Sequence, residues 1–158
     1  MKKGSIALSS TLILIFCSTL FARTLIYDPL ANPAKDLELV TAKAAEQEKL
    51  VLVIFGADWC PDCRMLDYHM NKDKLKAVID KYFLVVKVDV GKKDKNLNFI
   101  AEFGNPIGKG IPAIAIMDGH SKLHYVSDSG EFASARSAQT ESLKVWFEEM
   151  AEQVKRVQ

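Results

Sequence analysis

The feature that most constrains this chain is an apolar run, Leu50-Val51-Leu52-Val53-Ile54-Phe55, followed at once by Gly56-Ala57-Asp58 and then by Trp59-Cys60-Pro61-Asp62-Cys63. Six apolar residues without alternation, several of them β-branched, predict a strand buried on both faces, so the fold must supply cover on each side of a sheet. Pro61 suits the first turn of a helix, because its missing N–H would have had no partner there. Two cysteines separated by two residues can close a small disulfide ring only where the backbone turns. A strand running into a helix supplies that turn. The sulfur of Cys60 then lies at the helix N-terminus, where unpaired N–H groups and the helix dipole favour a thiolate. Cys63, one turn further in, is placed to attack any mixed disulfide that Cys60 forms. The pattern is that of a reversible dithiol, not a passive staple.

The cysteine count points the same way. The chain has three cysteines in 158 residues. A secreted domain that needs staples carries several pairs with loops between them, whereas Cys60 and Cys63 enclose a loop too short to stabilise much by chain entropy. The length allows one ordinary domain and a short extra segment. With 49% hydrophobic and 26% charged residues the chain can build a real core. A formal charge of +1 gives no reason to expect nucleic acid or an anionic surface as a partner. The extra segment is the N-terminus. Lys2 and Lys3 precede an uncharged stretch from Gly4 to Ala22 with an apolar centre, Leu12-Ile13-Leu14-Ile15-Phe16, and small residues near its end. This describes a secretory signal peptide over residues 1–22, cleaved after Ala22, with the domain over 23–158. An uncleaved membrane anchor is the alternative, because the run is close to the roughly 18 residues that a span requires. Cys17 falls inside this stretch as a small hydrophobe; Phe16 stands where a lipoprotein signal wants Gly, Ala or Ser.

In chain order, Thr24 to Tyr27 reads as an edge strand ended by Asp28-Pro29, and Pro33 to Lys49 as an amphipathic helix carrying Leu37, Val40 and Ala44 inward. After the first buried strand and the dithiol, a helix runs through Leu66 and Met70. Asn71 to Asp73 breaks it before Leu75, Val78 and Ile79 resume the pattern. Tyr82 to Asp89 is a second buried strand, and Asn96 to Phe103 a short helix with Leu97, Ile100 and Ala101 inward. A Gly-rich loop, 104–110, leads to a strand, Pro112 to Met117. Asp118-Gly119 signals a hairpin turn, Lys122 to Val126 is the returning strand, and 127–140 is a polar, irregular loop. Leu143, Trp146, Phe147, Met150 and Val154 mark a C-terminal amphipathic helix. The expectation is an α/β fold, a mixed central sheet with helices on both faces, closed by an antiparallel hairpin and a helix.

These residues resemble the thioredoxin superfamily, over the chain from about Ala34 to the C-terminus. Ala57-Asp58-Trp59-Cys60-Pro61-Asp62-Cys63 is similar to the family's A-x-W-C-x-x-C, Val88-Asp89 ends the next strand as in thioredoxins, and Gly110-Ile111-Pro112 is similar to the family's G-I-P. A lone C-x-x-C also occurs in metal sites; with Ile-Pro some fifty residues later before a hairpin it is specific. The resemblance implies a thioredoxin fold in which Cys60 is the nucleophile, Cys63 the resolving thiol and Trp59 a shield. It also implies that Pro112, cis in the family, faces the disulfide while the Ile111 backbone holds an extended substrate strand. The chain departs from the family at Ile54, which lies near the position of a buried Asp that moves protons in cytosolic thioredoxins. Asp58 and Asp62 flank Cys60 instead. A carboxylate close to the sulfur opposes the helix dipole; a solvated one on the rim does not. The 104–108 and 127–140 segments are similar to elaborations of secreted thioredoxin-like proteins.

The implied chemistry is thiol–disulfide exchange through a mixed disulfide, with no bound cofactor. The substrates are proteins with disulfides or thiols, a membrane-bound redox partner recharges the dithiol, and the protein is a periplasmic or secreted monomer. Pro61 after Cys60 resembles glutaredoxins and disulfide isomerases, while Asp62 favours a more reducing couple, so the expected direction is reduction. Two other classes compete. One is a metal-binding, copper-chaperone-like module in which Cys60 and Cys63 hold a soft cation with His69, His120 or His124 as third ligand, although a surface position is expected of each histidine and no metal ligand set is read from the spacing. The other is a non-catalytic interaction domain.

Overall fold

The computed structural model describes residues 25–157. The signal peptide read at 1–22, Cys17 within it, and Thr24 lie outside the described residues. The elements are α1 (Pro33–Glu46), β1 (Leu50–Gly56), α2 (Pro61–Met70), α3 (Asp73–Tyr82), β2 (Phe83–Asp89), α4 (Leu97–Ala101), β3 (Ala113–Met117), β4 (Leu123–Val126) and α5 (Thr140–Arg156), with short 3₁₀ turns at Pro106–Lys109 and Ala135–Ser137.

The sheet order is β2-β1-β3-β4. Strand β1 pairs with β2 in parallel, Leu50 to Gly56 against Phe83 to Asp89, and with β3 antiparallel, Ile54 opposite Ile114. Every residue of β1 and of β3 is buried, as unbroken apolar runs require in the centre of a sheet covered on both faces. Each fully buried Val, Leu or Ile there contributes about 1.5–3 kcal/mol over an exposed one. Helix α1 begins as its sequence dictates: Asn32 accepts the N–H of Lys35 and Pro33 occupies the first turn. The fold is the thioredoxin fold, a mixed sheet between helical layers and closed by the β3–β4 hairpin.

Two local expectations are corrected. The segment 25–27 forms no strand: the N–H groups of Ile26 and Tyr27 turn to the Asp58 carboxylate, at 2.9 and 3.4 Å, rather than to a sheet edge. In α4 the inward residues are Phe99 and Ile100, with Phe103 just beyond, whereas Leu97 and Ala101 are exposed. Helical periodicity misjudges a helix this short because its orientation is set by an aromatic cluster: Phe103 packs edge-on to Phe55 at 5.2 Å and Phe99 to Phe103 at 5.3 Å.

Candidate active site

The site lies where β1 ends and α2 begins. Gly56-Ala57-Asp58 carries the chain out of the sheet, the Cys60 N–H closes back on the Ala57 carbonyl at 3.1 Å, and Cys60 takes the N-cap position of α2. Its Sγ accepts the N–H of Cys63 at 3.2 Å, the bond that a Ser or Asp side chain makes at other helix starts. Pro61 follows at the first helical position. Both cysteines are free thiols. Cys60 is 3% exposed and Cys63 not at all, so the first sulfur is at the edge of the surface and the second lies behind it. Burial, and then the hydrogen bond to Cys60, push the Cys63 thiol well above its ordinary value.

From the other side, the loop before β3 delivers Ile111 and Pro112. The peptide bond between them is cis, and the Cys60 thiol donates to the Ile111 carbonyl at 3.5 Å. Trp59 is 57% exposed and lies over the rim, its indole N–H donating to the Gly91 carbonyl at 2.7 Å. Cys60, Cys63, Trp59, Pro61, Ile111 and Pro112 are thus brought to one place by two segments far apart in sequence.

Neither flanking carboxylate is a free charge on the rim. Asp62 is 7% exposed, and one of its oxygens accepts both the backbone N–H of Arg136, at 3.0 Å, and its Nε, at 3.1 Å. Asp58 is committed to Ile26 and Tyr27. The 127–140 loop therefore belongs to the site. Besides the Arg136 contact, it packs on Gly110, which has φ +137° and could carry no Cβ, since one would sit 2.6 Å from that of Ala133. With α5 the loop forms an apolar groove of about 310 Å³, lined by residues including Phe132, Ala135, Leu143 and Trp146.

The histidines are corrected in part. His120 is exposed, but His69 is buried, its Nδ1 bonded to Thr140 Oγ1 at 2.7 Å, and the His124 ring bonds Asp118 at 2.8 Å. Among the described residues no three of His, Cys, Asp and Glu gather as a metal site. The sequence reading missed two contributors. Arg136 reaches Asp62 from 74 positions away, and no local pattern announces that. Tyr27 is buried, its ring lying across the end of β1 so that a Cβ at Gly56 would sit 2.3 Å from its hydroxyl oxygen; a lone aromatic ahead of Asp28-Pro29 is its only trace in the sequence.

Comparison with known proteins agrees with this geometry. Residues 32–119 match a family model described as thioredoxin-like. A solved structure described as a disulphide isomerase from Xylella fastidiosa Temecula1 is 36% identical, with 82% of this chain and 98% of that one covered and a TM-score of 0.79. The fold is shared with the oxidised DsbD C-terminal domain of Neisseria meningitidis (17% identity, 80% and 98% covered, TM-score 0.54) and with a mutant thioredoxin from Halobacterium salinarum NRC-1 (21%, 74% and 84%, 0.50). No curated protein matches the chain. A dithiol capping a helix beside a cis-proline loop, together with a family match over more than half the chain and a 36% identical relative, has one consequence: the chain belongs to the thioredoxin-like family and is a thiol–disulfide oxidoreductase.

Proposed function

We propose that this protein is an exported thiol–disulfide oxidoreductase that works from its reduced dithiol, reducing or rearranging disulfides in protein substrates, with Cys60 as nucleophile and Cys63 as resolving thiol. The observation that carries the reading is the placement of the Cys60 sulfur at the N-cap of α2, bonded by the Cys63 N–H at 3.2 Å with the Ile111 carbonyl 3.5 Å away. The N–H and the helix dipole stabilise a thiolate at that point, while Cys63, fully buried, keeps its proton until it is needed.

In the first step the Cys60 thiolate attacks one sulfur of a substrate disulfide. The Cys60–substrate S–S bond forms, the substrate bond breaks, and the second substrate sulfur leaves with the electron pair and takes up a proton. Having lost its own proton, Cys60 no longer donates to Ile111, and that carbonyl is released to accept an N–H from an extended substrate strand. In the second step Cys63 gives up its proton and attacks Cys60, forming the Cys60–Cys63 disulfide and releasing the other substrate sulfur as thiolate. The substrate gains two electrons and the enzyme loses two. A membrane-bound electron donor returns them, acting on the 23–158 domain after residues 1–22 have directed it to the periplasm or cell exterior. Among the described residues no helix is long and apolar enough to cross a membrane.

Two observations favour the reducing direction. The Asp62 carboxylate occupies the same helix start as Cys60 and competes for its positive potential, which disfavours the thiolate and hence the oxidising couple. The 36% identical relative is described as a disulphide isomerase, an activity that also begins from a reduced dithiol. Equilibration in thiol redox buffers, followed by acid trapping and alkylation of free thiols, tests the reading. A potential near thioredoxin's, about −270 mV, is expected; one near −120 mV would reverse the direction. A dithiol that does not titrate reversibly would remove the oxidoreductase role altogether.

A further inference from the structure

The polar segment between β4 and α5 touches both halves of the dithiol site. At Gly130 it lies against Lys109, where a Cβ on the glycine would sit 3.0 Å from the Lys109 carbonyl oxygen. Three residues on, Ala133 packs on Gly110, immediately ahead of Ile111 and the cis Pro112. Three further on, Arg136 meets Asp62 in the first turn of α2, through its backbone N–H at 3.0 Å and its Nε at 3.1 Å. The segment therefore spans from the cis-proline loop to the helix that Cys60 caps.

Arg136 is only half used by this contact. Its Nε is held, but the two Nη groups donate to nothing among the described residues, and the side chain is 61% exposed. Asp62 beneath it is 7% exposed, so the member of the pair that faces solvent is the cation. The backbone N–H already ties the segment to α2, so the open end of the guanidinium is not needed to anchor it. A guanidinium fixed at Nε with its fork free is prepared for a second carboxylate. Beside it, Ala135 and Ser137 line the groove of about 310 Å³ whose other walls include Phe132, Leu143 and Trp146. The Phe132 and Trp146 rings meet edge-on at 4.9 Å, which gives the groove a rigid apolar wall. The carboxylate at its rim, Glu131, is committed: it accepts the Tyr125 O–H at 3.0 Å and the Ser129 N–H at 3.2 Å. The volume is at the low end for a small-molecule site and suits one or two side chains of a polypeptide.

We infer that Arg136 and this groove form a substrate-selecting subsite, which takes polypeptide segments carrying a carboxylate side chain near the reacting cysteine and an apolar residue beside it. The inference deepens the exchange reading above and rests on it, because it names the class of disulfide that Cys60 attacks fastest. The link to the chemistry is short. Cys60 and Asp62 share the first turn of α2, Arg136 sits on Asp62, and the groove begins at the residues on either side of Arg136. A substrate strand leaving the Cys60 sulfur meets the cation first and the apolar wall next.

The test uses the reduced full chain carrying Cys17→Ser, so that Cys60 and Cys63 are its only thiols. The substrates are synthetic peptides whose single cysteine is held as a disulfide with thionitrobenzoate. Cys60 attacks the peptide sulfur, the Cys60–peptide bond forms, and thionitrobenzoate leaves with the electron pair as a coloured thiolate. The peptides place Glu or Gln, and Leu or Ala, at each position up to four residues from the cysteine, a reach of about 13 Å in extended chain. At its best position Glu should raise the second-order rate about fivefold over Gln at low salt, the upper end for an exposed ion pair, and added salt should shrink the advantage. Leu should gain about fivefold over Ala by partial burial. Arg136→Met should bring the Glu/Gln ratio to about one. Ser142→Trp, which sets a ring into the groove from an exposed position on α5, should do the same to the Leu/Ala ratio. Each ratio is taken within one protein, so any change in the reactivity of Cys60 itself cancels. A parent blind to either exchange at every position, or a ratio that survives its variant, would overturn the subsite. If the parent releases no thionitrobenzoate from any peptide, the exchange reading itself fails; that outcome is seen before any variant is made.

Discussion

Replacing Asp62 by asparagine should make the Cys60–Cys63 couple more oxidising while costing the fold little. The carboxylate and the Cys60 sulfur share the first turn of α2, so they compete for the same unpaired N–H groups and dipole. Asparagine preserves the shape and an acceptor oxygen for the two Arg136 donors, and removes only the charge. Removing the charge should favour the reduced enzyme, and a tenfold change in the couple's equilibrium constant corresponds to about 1.4 kcal/mol. For a two-electron couple that is about 30 mV towards less negative potential. On the fold side, the loss of charge assistance to the Arg136 backbone N–H and of a favourable charge at a helix N-terminus sums to about 1–2 kcal/mol. The Arg136 guanidinium adds little, because its side chain is 61% exposed. The converse substitution gives the sign check. Arg136→Ala unmasks Asp62 and should shift the potential the other way, by on the order of 10 mV given that solvent already screens the guanidinium. Redox-buffer equilibration with thiol alkylation reads the potential, and thermal unfolding reads the fold. A potential that is unmoved in Asp62→Asn while stability falls would refute the reasoning, leaving Asp62 as a tether for the 127–140 loop and nothing more.

Two further outcomes test the frame that holds the site. Burial, and then the charge of Lys72, hold His69 below the ordinary histidine value. In the unfolded chain it protonates near pH 6.5, so stability is complete above that pH and is lost as the pH falls below it, until the folded form also takes up the proton. The melting temperature of His69→Gln should therefore vary less between pH 8 and pH 5 than that of the parent, and parallel curves would exonerate His69. Phe147→Ala, in a fully buried position among Phe83, Phe132 and Trp146, should cost about 3–5 kcal/mol; a loss in denaturant unfolding below about 1 kcal/mol would mean that α5 is not packed as described.

What the sequence discloses here depends on how local the cause is. The buried strands β1 and β3 are legible because each is an unbroken apolar run, and Cys60 at the start of α2 because Pro61 fixes the first turn. The Asp118-Gly119 turn is legible for the same reason: a few adjacent residues decide it. Leu25 to Tyr27 misleads because its apolar content is real but its N–H groups are claimed by Asp58, 32 positions away from Ile26. His69 misleads because an imidazole on a helix looks solvated until Thr140, 71 positions on, arrives to bond it. Both are decided by tertiary partners that no window of sequence contains.

The same contrast bears on how such a site diversifies. The dithiol, the capping bond to Cys63 and the Ile111–Pro112 approach are set by short motifs and by the sheet register, so they hold wherever this strand and helix form. The groups that tune them are delivered from outside that unit: Tyr27 from the segment before α1, Arg136 and Ala133 from the 127–140 loop, Gly91 from the turn after β2. Each touches the site at a different place. Tyr27 lies across the end of β1 at Gly56, Asp62 with Arg136 sets the charge at the start of α2, and Ala133 packs on Gly110, just ahead of Ile111. Changes in these outlying segments can therefore alter the charge and packing around the dithiol while the two cysteines and their helix stay as they are. Asp62→Asn should therefore move the potential while the capping bond from the Cys63 N–H to the Cys60 sulfur stays in place.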